Sequence, residues 1–147
     1  MSYAELEYID KELTNMVMKF ELNNNGLIQN VINKLRYLDD LLEVTATVYI
    51  FFDDLNNDEQ KYFTKNFEYC VESVFYMKDS ITKISKIYKY LGTRINLKAN
   101  KIALFAMDHL YEIECNSSKK RKETIQYKKI INYLQEKVNK LDELISY

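Results

Sequence analysis

Acid–base, nucleophilic and metal chemistry draw on His, Cys and closely spaced carboxylates, and this chain holds few of them. His109 is its single histidine, and Cys70 and Cys115 are its two cysteines. A nucleophilic Ser or Cys needs a base beside it and a third group to orient that base. Asp108 precedes His109, but neighbours in a helical sequence point to different faces. A structural zinc site takes four Cys or His ligands, more than the chain contains. Di-metal carboxylate bundles place Glu three residues before His, and no Glu stands there before His109. Asp54-x-Asn56-x-Asp58 opens like a calcium loop, which then demands Gly at its sixth position and Glu at its twelfth. Glu59 and Lys65 stand there instead. Two glycines cannot build a phosphate-cradling loop. No catalytic residue, metal ligand or cofactor is assigned, and a non-enzymatic role is expected.

Binding chemistry is better represented. Tyr76, Lys83, Lys86, Tyr88, Lys89, Tyr90 and Arg94 interleave rings and cations, with Lys78, Lys98 and Lys101 on either side. Such a set suits an acidic protein surface, or single-stranded nucleic acid whose phosphates pair and bases stack. It also suits an ordinary solvated helix face. Lys119, Lys120, Arg121 and Lys122 form a second basic set. Cations oppose the positive end of a helix, so a solvated loop with a helix starting at Glu123 or Thr124 is the simpler reading, and a phosphate or acidic-protein contact the functional one.

There are 13 tyrosines. Tyrosine suits interfaces because it joins a large apolar body to a polar tip and has few torsions to freeze. Tyr3, Tyr8, Tyr37, Tyr69, Tyr76, Tyr88, Tyr90, Tyr133 and Tyr147 are expected at the surface. The net charge of −1 conceals a split: 12 acids against 4 bases in residues 1–60, and 10 acids against 17 bases in residues 61–147. Helices from the two halves can pack with complementary surfaces, or the basic half can face an acidic partner.

The elements that position these residues are helical. Pro is absent and Gly occurs twice, which argues against turn-rich β architectures. Ser2 and Glu5 fit a capping box ahead of a first helix that stops at Asn23–Gly26. Leu27 to Phe52 continues the helical period through Val44–Phe52, a β-prone run. Asn56 or Asn57 caps a long third helix that ends at Gly92, with a break near Asp79–Ser80. Tyr62, Phe63, Phe67, Cys70, Val71, Val74, Phe75, Ile81 and Ile84 give it a wide apolar face and make it the expected core element. Thr93–Asn96 is then a connection and Leu97–Glu114 the fourth helix. Tyr127, Ile131, Leu134, Val138, Leu141 and Ile145 form a heptad seam on the last helix, a candidate homodimer interface.

The texture of Tyr62-Phe-Thr-Lys-Asn-Phe-Glu-Tyr-Cys-Val-Glu-Ser73 resembles the second long helix of HEPN-type bundles. That family includes many ribonucleases, marked by an Arg a few residues ahead of a His. Here the nearest upstream Arg is Arg94, with fourteen residues between it and His109, so the motif is absent. The resemblance implies a helical bundle and carries no catalytic residue across.

The expected protein is a single all-α domain over residues 1–147, a bundle of about five helices with two long ones. The N-terminus lacks a basic region followed by an apolar run, and Val44–Phe52 is too short to span a bilayer. A cytoplasmic protein with no membrane partner is expected. Its abundant Asn, Ile, Lys and Tyr fit an AT-rich genome, whether bacterial, phage or viral. The leading functional expectation is an interaction protein acting on a protein partner as a regulator, inhibitor or assembly subunit. Nucleic-acid binding, including a diverged HEPN-like ribonuclease, is the alternative.

Overall fold

The computed structural model describes residues 3–116 and 121–145. Within them the chain is all-helical, with α1 Tyr3–Asn23, α2 Leu27–Tyr49, α3 Asn57–Tyr76, α4 Lys78–Ile87, α5 Lys89–Asn116 and α6 Arg121–Ile145. A single 3-10 turn at Phe52–Asp54 joins α2 to α3. The all-α class holds, and the described helices number six rather than five. Ser2, with its capping box, and Tyr147 lie outside the described residues, as do the side chains of Tyr3 and Tyr8.

α5 is the hub, packing on α2, α3, α4 and α6. Ala99, Ala103 and Ala106 are fully buried on it at steps of four and three, and their small side chains let neighbouring backbones come close. Leu38 of α2, Phe67 of α3 and Ile84 of α4 are completely buried in the same cluster. Removing each such side chain from water stabilises the fold by roughly 1.5–3 kcal/mol. The β-prone run stays helical as far as Tyr49. Thr45 and Thr47 donate their hydroxyls to the carbonyls of Leu41 and Glu43 at 2.6 and 2.8 Å, so helix and side chain are satisfied together.

The stretch from Asn57 to Gly92 is not one helix but α3, α4 and the first turn of α5. Its start follows the capping expectation: Asn56 Oδ1 accepts from the Glu59 N–H at 2.9 Å, and Glu59 accepts from the Asn56 N–H at 3.1 Å. At Met77 the N–H is shared between the carbonyls of Ser73 and Val74, which tightens the last turn of α3 and ends it. At Tyr88 (φ −123°, ψ 80°) the chain leaves helical geometry and turns from α4 into α5. Gly92 is therefore no helix end, and Thr93–Asn96 is no connection. Gly92 sits against α4, where an added Cβ would lie 2.1 Å from Ser85 Oγ and 2.5 Å from Ser85 Cα. The residue is needed for a close approach of two helices.

The apolar face of α3 is also narrower than expected. Phe67, Cys70, Val71 and Val74 are buried, whereas Tyr62 and Phe75 are exposed and Phe63 is half-buried. Tyr62 and Phe75 stand roughly 140° and 80° around the helix from Phe67, outside the sector its neighbours cover.

α1 joins α2 through a tight turn in which Asn25 and Gly26 take positive φ, 55° and 71°. Glu21 fixes this turn from α1. Its two carboxylate oxygens accept from the N–H groups of Ile28 and Gln29, at 2.6 and 3.2 Å, capping α2 at its positive end. Phe20 is buried, its ring edge-on to Tyr88 at 5.6 Å. Away from the turn the stripe loses its cover. Val17 is half-buried, and Met16 and Leu13 are each 51% exposed.

Candidate docking groove between α2 and α5

Where α2 runs beside α5, their facing side chains do not close on each other. Ile32, Leu35, Arg36, Asp39, Leu42, Glu43, Ala46 and Ile50 recur along α2 at helical steps and share one face. Arg94, Ile95, Leu97, Lys98, Lys101, Ile102 and Phe105 answer them from α5. Two hollows lie along this seam. The first, about 530 Å³, has a floor of aliphatic side chains and is closed at one end by Ile145 of α6. Arg36, Arg94, Lys98 and Lys101 form its rim. The second, about 670 Å³, continues past Lys98 and Lys101 to Ala46, Phe105 and Ile50, the last 78% exposed.

Two ion pairs brace the seam. Lys98 meets Asp39 of α2 at 3.5 Å, and Lys101 meets Asp142 of α6 at 3.7 Å. All four side chains are about half-exposed, so each pair contributes no more than about 1 kcal/mol and can open at little expense. Among the described residues Arg36 and Arg94 form no ion pair, and the Arg94 guanidinium lies over the Tyr90 ring at 5.8 Å. The first hollow thus presents apolar surface beneath Arg36 and Arg94, while Asp39 and Glu43 stand with Lys98 and Lys101 along the second.

The expected binding residues are dispersed over the two breaks. Tyr76 ends α3, Lys83 and Lys86 are exposed on α4, and Lys89 and Tyr90 are exposed at the start of α5. Lys86 falls in the last turn of α4, where a cation suits the negative end of the helix. Tyr88 is half-buried against Phe20. Of that set, Arg94 lines the first hollow, and the structure joins it there to Arg36, Lys98 and Lys101. Arg36 was not singled out from the sequence; its signal was a base four residues after Ile32 in an acidic half. Lys119 and Lys120 lie outside the described residues, and Arg121 and Lys122 belong to the first turn of α6, which begins earlier than Glu123.

The α6 seam is occupied within the chain. Leu134, Val138 and Leu141 are buried, and Tyr127, Ile131 and Ile145 are half-buried, all in clusters shared with α5. Much of this face is therefore packed against α5 within one copy. Heptad spacing had specified a helical neighbour without saying which.

His109 is held by rings. It stacks on Phe67, with centroids 4.7 Å apart and planes 16° from parallel, and meets Tyr49 edge-on at 5.2 Å. Its Nδ1 lies 2.8 Å from the Phe105 carbonyl, which makes Nδ1 the protonated nitrogen and donor. Asp108 makes no dyad with it. Burial pushes the Asp108 carboxyl up, against the pull of His109. Arg94 and His109 share α5 at a separation of roughly 22 Å along the axis, too far to act on one phosphate.

On the opposite side of α2, Lys34 donates to the Tyr69 hydroxyl and lies 4.7 and 5.4 Å from the rings of Tyr69 and Tyr37. This hydrogen bond holds the Tyr69 phenol below its usual range. Among the described residues no helix is long and apolar enough to cross a membrane, and no three His, Cys, Asp or Glu side chains gather as metal ligands. Comparison with family models, with curated proteins and with solved structures found no match for this chain.

Proposed function

We propose that the protein is a binding module that takes an acidic amphipathic helix of a partner protein into the α2–α5 seam. The observation that carries this reading is the pairing of an open aliphatic floor with Arg36 and Arg94 on its rim. Helix-in-groove recognition uses this combination: apolar anchors give affinity, and flanking charge sets partner and orientation. The face of α2 that lines the seam is roughly 27 Å long from Ile32 to Ile50, enough for about five turns of an incoming helix. Nucleic acid fits the cationic hollow less well. Single strands are held by stacking on aromatic rings, and among the described residues no ring lines that hollow. A module of this kind acts as a regulator, inhibitor or assembly subunit.

The test is a titration of the full chain with three labelled probes: an acidic amphipathic helical peptide, a basic one with the same apolar face, and a single-stranded RNA. The acidic helix should bind most tightly, and more weakly as salt rises. Arg36→Glu with Arg94→Glu should reduce that affinity roughly tenfold or more, and Ile50→Asp should reduce it independently. Binding of the RNA alone, lost in the double charge reversal, would transfer the seam to nucleic acid. No binding of any probe would remove the reading.

A further inference from the structure

The seam has a complementary surface on the same chain. α1 carries five acids and two bases along 21 residues. On its apolar stripe, which the sequence begins at Leu6 and Ile9, Leu13 and Met16 are exposed, Val17 is half-buried and Phe20 is buried. Large apolar side chains exposed on one helix face, as Leu13 and Met16 are, mark a contact surface when they form a patch. The rim of the seam's first hollow is cationic, with Arg36, Arg94, Lys98 and Lys101. Within one copy the described part of α1 lies away from both hollows. The turn locked by Glu21 sets the direction of α1, Phe20 packs on Tyr88, and among the described residues none of α1 lines either hollow.

We propose that two copies of this chain associate by seating α1 of each in the α2–α5 seam of the other. This rests on reading the seam as a helix-docking groove and names one occupant for it. The lengths agree, since α1 spans roughly 30 Å and the α2 side of the seam roughly 27 Å. The charges are opposite: the sequence places Glu5, Glu7, Asp10 and Glu12 on the arm's polar positions, and among the described residues Arg36 and Arg94 form no ion pair at the seam. The exchange is isologous, so a two-fold dimer satisfies both seams and leaves neither arm exposed. A lipid surface is the poorer occupant for α1, because interfacial helices carry Lys and Arg on their polar face and this one carries acids.

The experiment is the solution mass of the full chain by sedimentation equilibrium, at low and high salt. The wild-type chain should dimerise, with a dissociation constant that rises about tenfold with salt. Leu13→Asp with Met16→Asp should give a monomer of unchanged helical circular dichroism. Two charge-reversed chains complete the test. One carries Glu5→Lys, Glu7→Lys and Glu12→Lys; the other carries Arg36→Glu and Arg94→Glu. Each alone should be monomeric, and mixing them should restore a heterodimer, because both exchanged contacts again pair opposite charges. A wild-type chain that stays monomeric, or a dimer that survives both reversals, overturns the proposal. If the chain is monomeric yet an added acidic helix binds the seam, the docking reading stands and the exchange falls. If neither is seen, both fall.

Discussion

His109 of α5 lies face to face with Phe67 of α3, and this contact fastens the hub helix to the helix that supplies the most buried ring. The imidazole of the chain's single histidine is thereby used for packing, with Tyr49 and Phe105 around it at 5.2 and 5.0 Å. Aromatic pairs contribute roughly 0.5–1.5 kcal/mol beyond their buried area. His109→Ala should therefore destabilise the fold by about 2 kcal/mol, while His109→Phe should keep most of the stack. Urea unfolding followed by circular dichroism measures both. A His109→Ala chain with the wild-type midpoint would contradict a packing role.

Gly92 makes a sharper prediction. An alanine methyl there would meet both the side chain and the Cα of Ser85, at 2.1 and 2.5 Å. α4 and α5 would have to separate, and overpacking of this kind destabilises by about 3 kcal/mol. Shortening Ser85 to Gly should not rescue Gly92→Ala, because a backbone atom still blocks the methyl. Recovery of stability in that double variant would show that the clash is with the Ser85 side chain alone.

The same glycine shows where sequence reading stops. A Gly after a helical run reads as a helix end, because ends favour left-handed geometry, and Gly26 obeys that rule with φ 71°. Gly92 looks alike in sequence but answers to a neighbouring helix, which no local pattern contains. The Asn56–Glu59 cap was legible because both partners lie within one turn. The break at Tyr88 was not, since no Gly, Pro or side-chain cap marks it. Helical period located the stripes of α2 and α6 but could not say what covers them. The groove was hidden for the same reason: Arg36 and Arg94 lie far apart in sequence and meet only once α2 is laid beside α5. The α1 stripe was legible as apolar, and only the packed structure shows that Leu13 and Met16 on it are exposed.

Glu21 should be worth more than a surface acid. Its carboxylate satisfies two N–H groups at the start of α2 and lies at the positive end of that helix. Glu21→Gln keeps an acceptor and loses the charge, and Glu21→Ala loses both. The expected costs are about 0.5 and about 1–2 kcal/mol in thermal or urea unfolding. Because the same contact sets the direction of α1, Glu21→Ala should also make the α1 amides exchange faster with solvent deuterium. Unchanged exchange along α1 would mean that the turn holds its direction without the carboxylate.

Cys70 gives the clearest dependence on pH. Its side chain is 1% exposed, the sulfur lies 3.9 Å from the Leu38 carbonyl, and burial pushes the thiol up to about 11 from an ordinary 9.0, with Lys34 pulling weakly the other way. Between those values the native chain keeps a proton that the unfolded chain has lost. Stability should therefore be unaffected by this group below pH 9.0 and fall as pH rises from there towards about 11. Cys70→Ala should remove that component of the alkaline slope while leaving slopes due to tyrosines in place. Thiol reactivity offers a second readout. Cys115 is exposed, so one equivalent of reagent should react quickly with the native chain and Cys70 only at the rate of unfolding. Two thiols reacting at the same fast rate, or an alkaline slope identical in wild type and Cys70→Ala, would place Cys70 outside the core.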